Sequence, residues 1–394
     1  MAIITAVADE PAQETASSQW TRSVRAAVPV WATAYAAYTT VTAFAWFAPA
    51  EGPRLLNLLS SWHRYDSIRY ARLVEFGYAD PADTADRSFF PLYPMLARGL
   101  DLLLPGGAFA AMLTVSAVSL LAMLTVLYRL VATEEDQSTA RRAMWLVVAF
   151  PSAFFLAFGF NESLFIALAL GSVYAMRRGN WWAAGALGGL AALTRSAGIV
   201  LCVAFAYEYL RQHGFSLRRF RADVLAGALI PAGLGLFMLY LWLVAGDAFA
   251  FANSGNDTWG RSLALPSEAI IQTFDLMAGR RLLSNHSLHM ILDLLLVVFI
   301  ATVLVLGVVG PWKLRRDQLG LVVLGAALLI FSISFPPDAA RVEPLMGAPR
   351  YVLEVFPAFL ILAKIRPAHL AYGYVAVLLQ GALLAHYVRG GWIA

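Results

Sequence analysis

Residues 143–176 read AMWLVVAFPSAFFLAFGFNESLFIALALGSVYAM, with Glu162 as the one formal charge. A helix on the surface of a soluble domain keeps a polar face opposite its apolar stripe, and this stretch has none. A helical bilayer crossing needs about 20 apolar residues. Here the run falls into two shorter pieces, 143–160 and 163–176, parted by Asn161-Glu162-Ser163. The next stretch repeats the layout, with 181–193 and 197–210 parted by Thr194-Arg195-Ser196. Such segments read as helices that reach part of the way through a membrane or are shielded by neighbours, because irregular backbone in hydrocarbon is tolerated only inside protein.

The rest of the chain agrees. Of its 394 residues 60% are hydrophobic and 14% charged, against about 25% charged in an ordinary soluble domain, and the mean hydropathy is +0.67. Soluble globular and disordered classes are excluded. Further apolar runs lie at 26–48, 108–132, 222–245, 289–310, 318–335, 351–363 and 369–388, which makes roughly eleven spanning or partly spanning segments. The expected fold is an all-α polytopic membrane protein, one integral domain over 1–394. The single cysteine, Cys202, permits no internal disulfide, and a net charge of +4 does not point to nucleic acid.

Charge sets the expected orientation. Arg22 and Arg25 precede the first run as in a signal anchor, so residues 1–25 read as a cytoplasmic tail. Ala48-Pro49-Ala50 resembles a cleavage site, but a 23-residue run exceeds the apolar part of a signal peptide. With the N-terminus inside, the cytoplasmic loops carry 15 basic residues, against 13 in about twice the length outside, the positive-inside asymmetry. Two long segments, 49–107 and 246–288, then face outward. Long loops in a compact domain are where function concentrates. No internal repeat of the kind that builds symmetric transporters is visible.

The first of these segments holds Trp62-His63-Arg64-Tyr65-Asp66. Asp66 caps a helix expected over Ser67–Phe76, ended by Gly77, with Arg69 as a local charge partner, and a carboxylate so placed can also act as a base. Residues 88–96, SFFPLYPML, read as a rigid interfacial turn. Glu162 and Arg195 stand at the two breaks, and an intramembrane charge needs a partner, so the two are expected to approach each other. Arg350, at the mouth of the run 351–363, either snorkels or grips a phosphate bidentately. Neither a phosphate-binding glycine loop nor a zinc pattern is present; the small-residue patch Gly185–Gly189 reads as a helix-packing surface.

Five strings carry a resemblance when taken in order: WHRYDSIRYARLVEFGY (62–78), SFFPLYPMLARGL (88–100), FPSAFFLAFGFNESLF (150–165), LAALTRSAGIVL (190–201) and APRYVLEVFP (348–357). The ordered set resembles the PIG-V-like mannosyltransferases, similar to GPI mannosyltransferase 2, of the GT-C class of multipass glycosyltransferases. Tyr65 stands where that pattern commonly has tryptophan. Phe160-Asn161 stands where a tyrosine and a small hydroxyl residue usually precede the glutamate. The acidic residues themselves are in place.

The resemblance implies inverting transfer of a sugar, mannose, from a polyprenyl monophosphate carrier to a hydroxyl of a lipid-anchored acceptor at the external membrane face. It implies Asp66 as the catalytic base. Arg350 is then the foremost partner of the carrier phosphate, with Arg195, Arg64, Glu162, His63, Tyr65 and Tyr93 completing the substrate-binding set. A divalent metal is compatible with this chemistry but not required by it. The almost exclusive use of arginine over lysine points to a GC-rich bacterial coding bias and so to a bacterial plasma membrane. The competing functions are a transporter or flippase of polyprenyl-linked lipid, and a structural membrane subunit. The long first loop favours the enzyme.

Overall fold

The computed structural model describes residues 16–47, 58–78, 84–280 and 284–393. Among these the backbone forms sixteen α-helices linked by 3-10 turns, and no strand. Without water in hydrocarbon, a helix satisfies its own backbone polar groups, which is why so apolar a chain folds this way.

Helix α1 (Ala16–Phe47) starts ten residues before the apolar run and absorbs part of the expected tail. Apolarity marks lipid contact, whereas residues 16–25 contain no proline or glycine to stop a helix. The proposed cleavage site at residues 48–50 lies outside the described residues. The segment 49–107 is not a plain loop: it contains α2 (Asp66–Phe76) and α3 (Leu92–Asp101), ahead of α4 (Gly107–Glu134). Next come four short helices, α5 (Gln137–Val148), α6 (Glu162–Arg177), α7 (Trp181–Ala192) and α8 (Leu201–Gln212), then α9 (Leu229–Ala245). The segment 246–288 is likewise largely helical, with α10 (Ala250–Trp259) and α11 (Pro266–Ala278) preceding α12 (Asn285–Leu306). The chain closes with α13 (Leu319–Ile333), α14 (Ala348–Leu353), α15 (Phe356–Leu362) and α16 (His369–Val388).

Among the described residues five stretches, 107–134, 222–245, 286–306, 316–333 and 369–388, are long and apolar enough to cross a membrane. Of the remaining runs, 26–48 lies within the 32-residue α1 and the others are short pieces, so a count of eleven is not reproduced by length and apolarity together. The linker between α5 and α6 shows how the pieces are tolerated: Phe150, Phe154, Phe155, Phe158 and Phe160 are fully buried, so its irregular backbone is covered by protein. Glycines bring α7 and α9 together. A Cβ added at Gly189 would stand 2.5 Å from the carbonyl oxygen of Leu229, and one at Gly233 would stand 2.2 Å from that of Gly189. This is the close approach that small residues allow between apolar helices.

Ion pairs gather the helix ends that carry the basic loops. Arg177 forks onto both carboxylate oxygens of Glu134 at 2.7 Å and reaches Asp317 at 3.1 Å. Arg315 approaches Glu134 at 3.4 Å, Lys364 pairs with Glu135 at 3.0 Å, and Arg211 with Glu208 at 2.6 Å. Glu162 and Arg177 are the two ends of the 16-residue α6, about 22 Å apart at 1.5 Å per residue. The broken ends of the short helices therefore collect far from this network.

Candidate active site

The site is built on a strained turn. Tyr65, just before α2, has φ 53° and ψ −123°, a conformation that side chains rarely adopt and that tends to persist where surrounding contacts over-determine it. Those contacts are visible. The Tyr65 hydroxyl donates to the Gly390 carbonyl at 3.0 Å, and its ring meets Trp392 edge-on with centroids 4.6 Å apart. Arg64 donates to the carbonyls of Ser61 and Val388 at 3.1 and 3.0 Å. The chain before α2 is thus tied to the segment after α16.

Asp66 leaves this turn as the first residue of α2. It does not cap: the position before it is Tyr65, with no side-chain cap bond, and the Asp66 carboxylate instead accepts from Arg350 Nη1 at 2.5 Å. Nor is Arg69 its partner, because Arg69 and Arg72 both pair with the buried Asp86, at 2.9 and 3.1 Å. A long arginine reaches across to another element as readily as along its own helix.

The two breaks meet behind Asp66. Arg195 Nη1 lies 2.9 Å from Glu162 Oε1 and donates at 3.0 Å to Asn161 Oδ1, while the Asn161 amide donates to the Thr194 carbonyl at 2.8 Å. Arg350 reaches the same Glu162 oxygen through Nε at 2.7 Å and Nη2 at 2.6 Å, with its guanidinium over the Phe160 ring. Arg195 also pairs with Glu354 at 2.9 Å. The result is one chain of charges, Asp66–Arg350–Glu162–Arg195–Glu354, holding three carboxylates and two guanidiniums. Glu162 is fully buried and Glu354 nearly so. Single buried charges would be very costly, and interleaving the signs removes most of that cost.

A cavity of about 670 Å³ opens over this chain, within the range of small-molecule sites. Asp66, Arg195 and Arg350 line it, together with Phe89 and Phe90 from the aromatic turn. That turn is held in place by the Leu92 amide, which donates to the Leu193 carbonyl at 3.0 Å. Among the described residues, no group of three or more His, Cys, Asp or Glu is placed to hold a metal ion.

Several expected substrate contacts lie elsewhere. Tyr93 is fully buried under Tyr70, and its hydroxyl donates to the Met112 carbonyl at 3.0 Å. His63 stacks on Phe109 with centroids 4.4 Å apart, and burial pushes its pKa below the usual value. Arg64 and Tyr65 shape the turn, and Glu162 sits behind the cavity wall. Residues that sequence reading did not single out line the cavity instead: Tyr70, Asn161, Trp259, Arg261, Glu354 and Trp392. For Glu354 the signal was present within APRYVLEVFP. For Arg261 only an arginine in a polar stretch of the second long segment could have suggested it.

A profile of glycosyltransferase family 87 matches residues 89–335. GPI alpha-1,6-mannosyltransferase 2 of Mus musculus is 31% identical over 155 residues, covering 36% of this chain and 31% of that protein. The Cricetulus griseus protein of the same name is 32% identical over the same coverage. The match thus spans about a third of the length of these relatives. Over 95% of this chain and 78% of the other, the fold is similar to that of ArnT from Cupriavidus metallidurans, solved bound to undecaprenyl phosphate, with TM-score 0.54 and 14% identity. The GT-C architecture expected from the motifs is the one observed.

Proposed function

The chain belongs to glycosyltransferase family 87, and from that premise we propose that it moves mannose, with inversion, from a polyprenyl monophosphate carrier to a hydroxyl of a lipid-anchored acceptor at the external membrane face. The observation that carries the reading is Asp66. Two carboxylates line the cavity, and Asp66 keeps 25% of its side chain exposed where Glu354 keeps 2%. An acceptor hydroxyl is a weak nucleophile and needs its proton taken as the sugar approaches the oxocarbenium-like transition state. Asp66 is the carboxylate that can be reached, and Arg350 fixes where it points.

Chemistry at the other end of the bond concerns the carrier. The phosphodiester holds one negative charge, and departure as a monoester adds a second, so cationic donors stabilise the leaving group better than a general acid would. Mannose rests on the partial likeness to the GPI mannosyltransferases, and the polyprenyl carrier on the fold shared with a protein that binds undecaprenyl phosphate. The outward placement rests on the charge asymmetry of the loops.

Asp66→Asn tests the reading, since it keeps the side-chain shape while removing the proton acceptor. Sugar transfer from a polyprenyl-phosphate donor to membrane lipid extract should fall by roughly 10²- to 10⁴-fold, with donor binding retained. Near-normal turnover in a folded Asp66→Asn protein would sink the assignment of the base.

A further inference from the structure

Three arginines line the cavity, Arg195, Arg261 and Arg350, and they differ in what surrounds them. Arg350 is clasped by Asp66 and Glu162, and Arg195 by Glu162 and Glu354. Both guanidiniums of that chain are already matched by carboxylates, and an incoming anion finds no uncompensated positive charge there. Arg261 is different. Among the described residues no carboxylate lies within salt-bridge distance of it; its partners are the Phe335 carbonyl, taken by Nη1 at 2.9 Å, and the Met346 carbonyl, taken by Nη2 at 3.2 Å. Carbonyls orient a guanidinium without neutralising it. Of its five N–H donors two are used, which leaves three.

The surroundings hold Arg261 in place ahead of any ligand. Its guanidinium lies 5.7 Å from the centroid of the Tyr351 ring, and Arg195 lies 5.4 Å from the same ring. The loop between α10 and α11 that carries it is pinned to the segment after α13, with the Asp338 amide on the Trp259 carbonyl at 3.1 Å and the Ala264 amide on that of Ser334 at 2.9 Å. Gly260 permits this: its φ is +67°, and a Cβ there would come within 2.4 Å of Asp338 Cβ. We infer that Arg261, rather than Arg350, takes the phosphate of the lipid carrier. This rests on the donor class proposed above and assigns the anion to the one cavity cation that, among the described residues, can still accept it. Arg350 becomes a positioning residue for Asp66.

The test is binding of polyprenyl phosphate, without sugar, to the purified full chain in detergent, followed by tryptophan fluorescence. Polyprenol, inorganic phosphate and phosphatidylglycerol serve as comparison ligands. Wild type should prefer polyprenyl phosphate to all three. Arg261→Gln should weaken polyprenyl phosphate by roughly 10- to 100-fold, the loss of a charge-assisted contact, and leave polyprenol unchanged, with Arg261→Lys in between. Equal binding by Arg261→Gln and wild type would overturn the inference while sparing the donor class. Wild type binding polyprenyl phosphate no better than polyprenol would overturn both, whereas tighter binding of phosphatidylglycerol or free phosphate would identify a different anion and overturn the carrier assignment. Should Arg261→Gln fail to fold, phenylglyoxal modification of wild type followed by peptide mapping decides the matter: Arg261 should react and be protected by polyprenyl phosphate. Modification unaffected by the carrier would count against it.

Discussion

Arg350 was expected to meet the substrate, and its neighbours give it another task. Arg350 is 6% exposed and its guanidinium touches two carboxylates, so its removal acts first on them. Glu162 would keep only Arg195 as a cationic partner, and Asp66 would lose the contact that aims it. Because Arg350 acts through Asp66, the two should be coupled. Asp66→Asn combined with Arg350→Ala should cost little more turnover than the worse single variant, whereas independent roles would multiply the losses. A double-mutant cycle on transfer rate checks this. The identity of Asp66, Glu162 and Arg195 as the unusual charges was legible in sequence, because a charge next to apolar runs stands out. So was the pairing of Glu162 with Arg195, which the structure places at 2.9 Å; the partner of Asp66 was not, since Arg350 Nη1 meets it across 284 positions of chain.

At the scale of elements, local chemistry marked the end of α2 correctly and its cap incorrectly. Gly77 closes α2 as expected, with φ 72°. Asp136 starts α5 in a similarly local way, its carboxylate accepting from the Thr139 amide at 2.9 Å and the Thr139 hydroxyl at 2.6 Å. Those bonds hold its pKa below the ordinary 3.8. A lowered folded-state value means stability that is present above the ordinary value and lost as pH falls through the folded one. Asp136→Ala should therefore cost about 1 kcal/mol at neutral pH. As pH falls below the ordinary carboxylate value and through the lowered folded-state one the gap should narrow, while Asp136→Asn should track wild type at neutral pH; thermal unfolding in detergent at neutral and acid pH measures both. Less legible were α10, α11 and the extra turns of α1, because hydrophobic periodicity reports the face a helix buries and these lie where burial is partial.

At the scale of the whole molecule, the charged network around Glu134 and the cavity around Asp66 occupy opposite ends of α6. If basic loops stay inside, a cysteine placed at Leu217 in a Cys202→Ser background should be labelled only from the cytoplasm, and one at Ser262 only from outside. Labelling of Ser262→Cys from the cytoplasm alone would reverse the orientation and move the chemistry to the other face. Sequence by itself determined the class of the protein, because the free energy of placing apolar residues in lipid is additive along a chain and needs no knowledge of its path. It also marked the breaks at Glu162 and Arg195, because a local interruption of that pattern is visible without a partner. Only the tertiary structure decided that five charges alternate in one chain, that Tyr93 and His63 pack away from the cavity, and that Arg261 stands there with no carboxylate of the described residues beside it. Those are facts of charge balance and distance between segments remote in sequence. Electrostatic energy depends on separation in space, which folding sets and linear order does not.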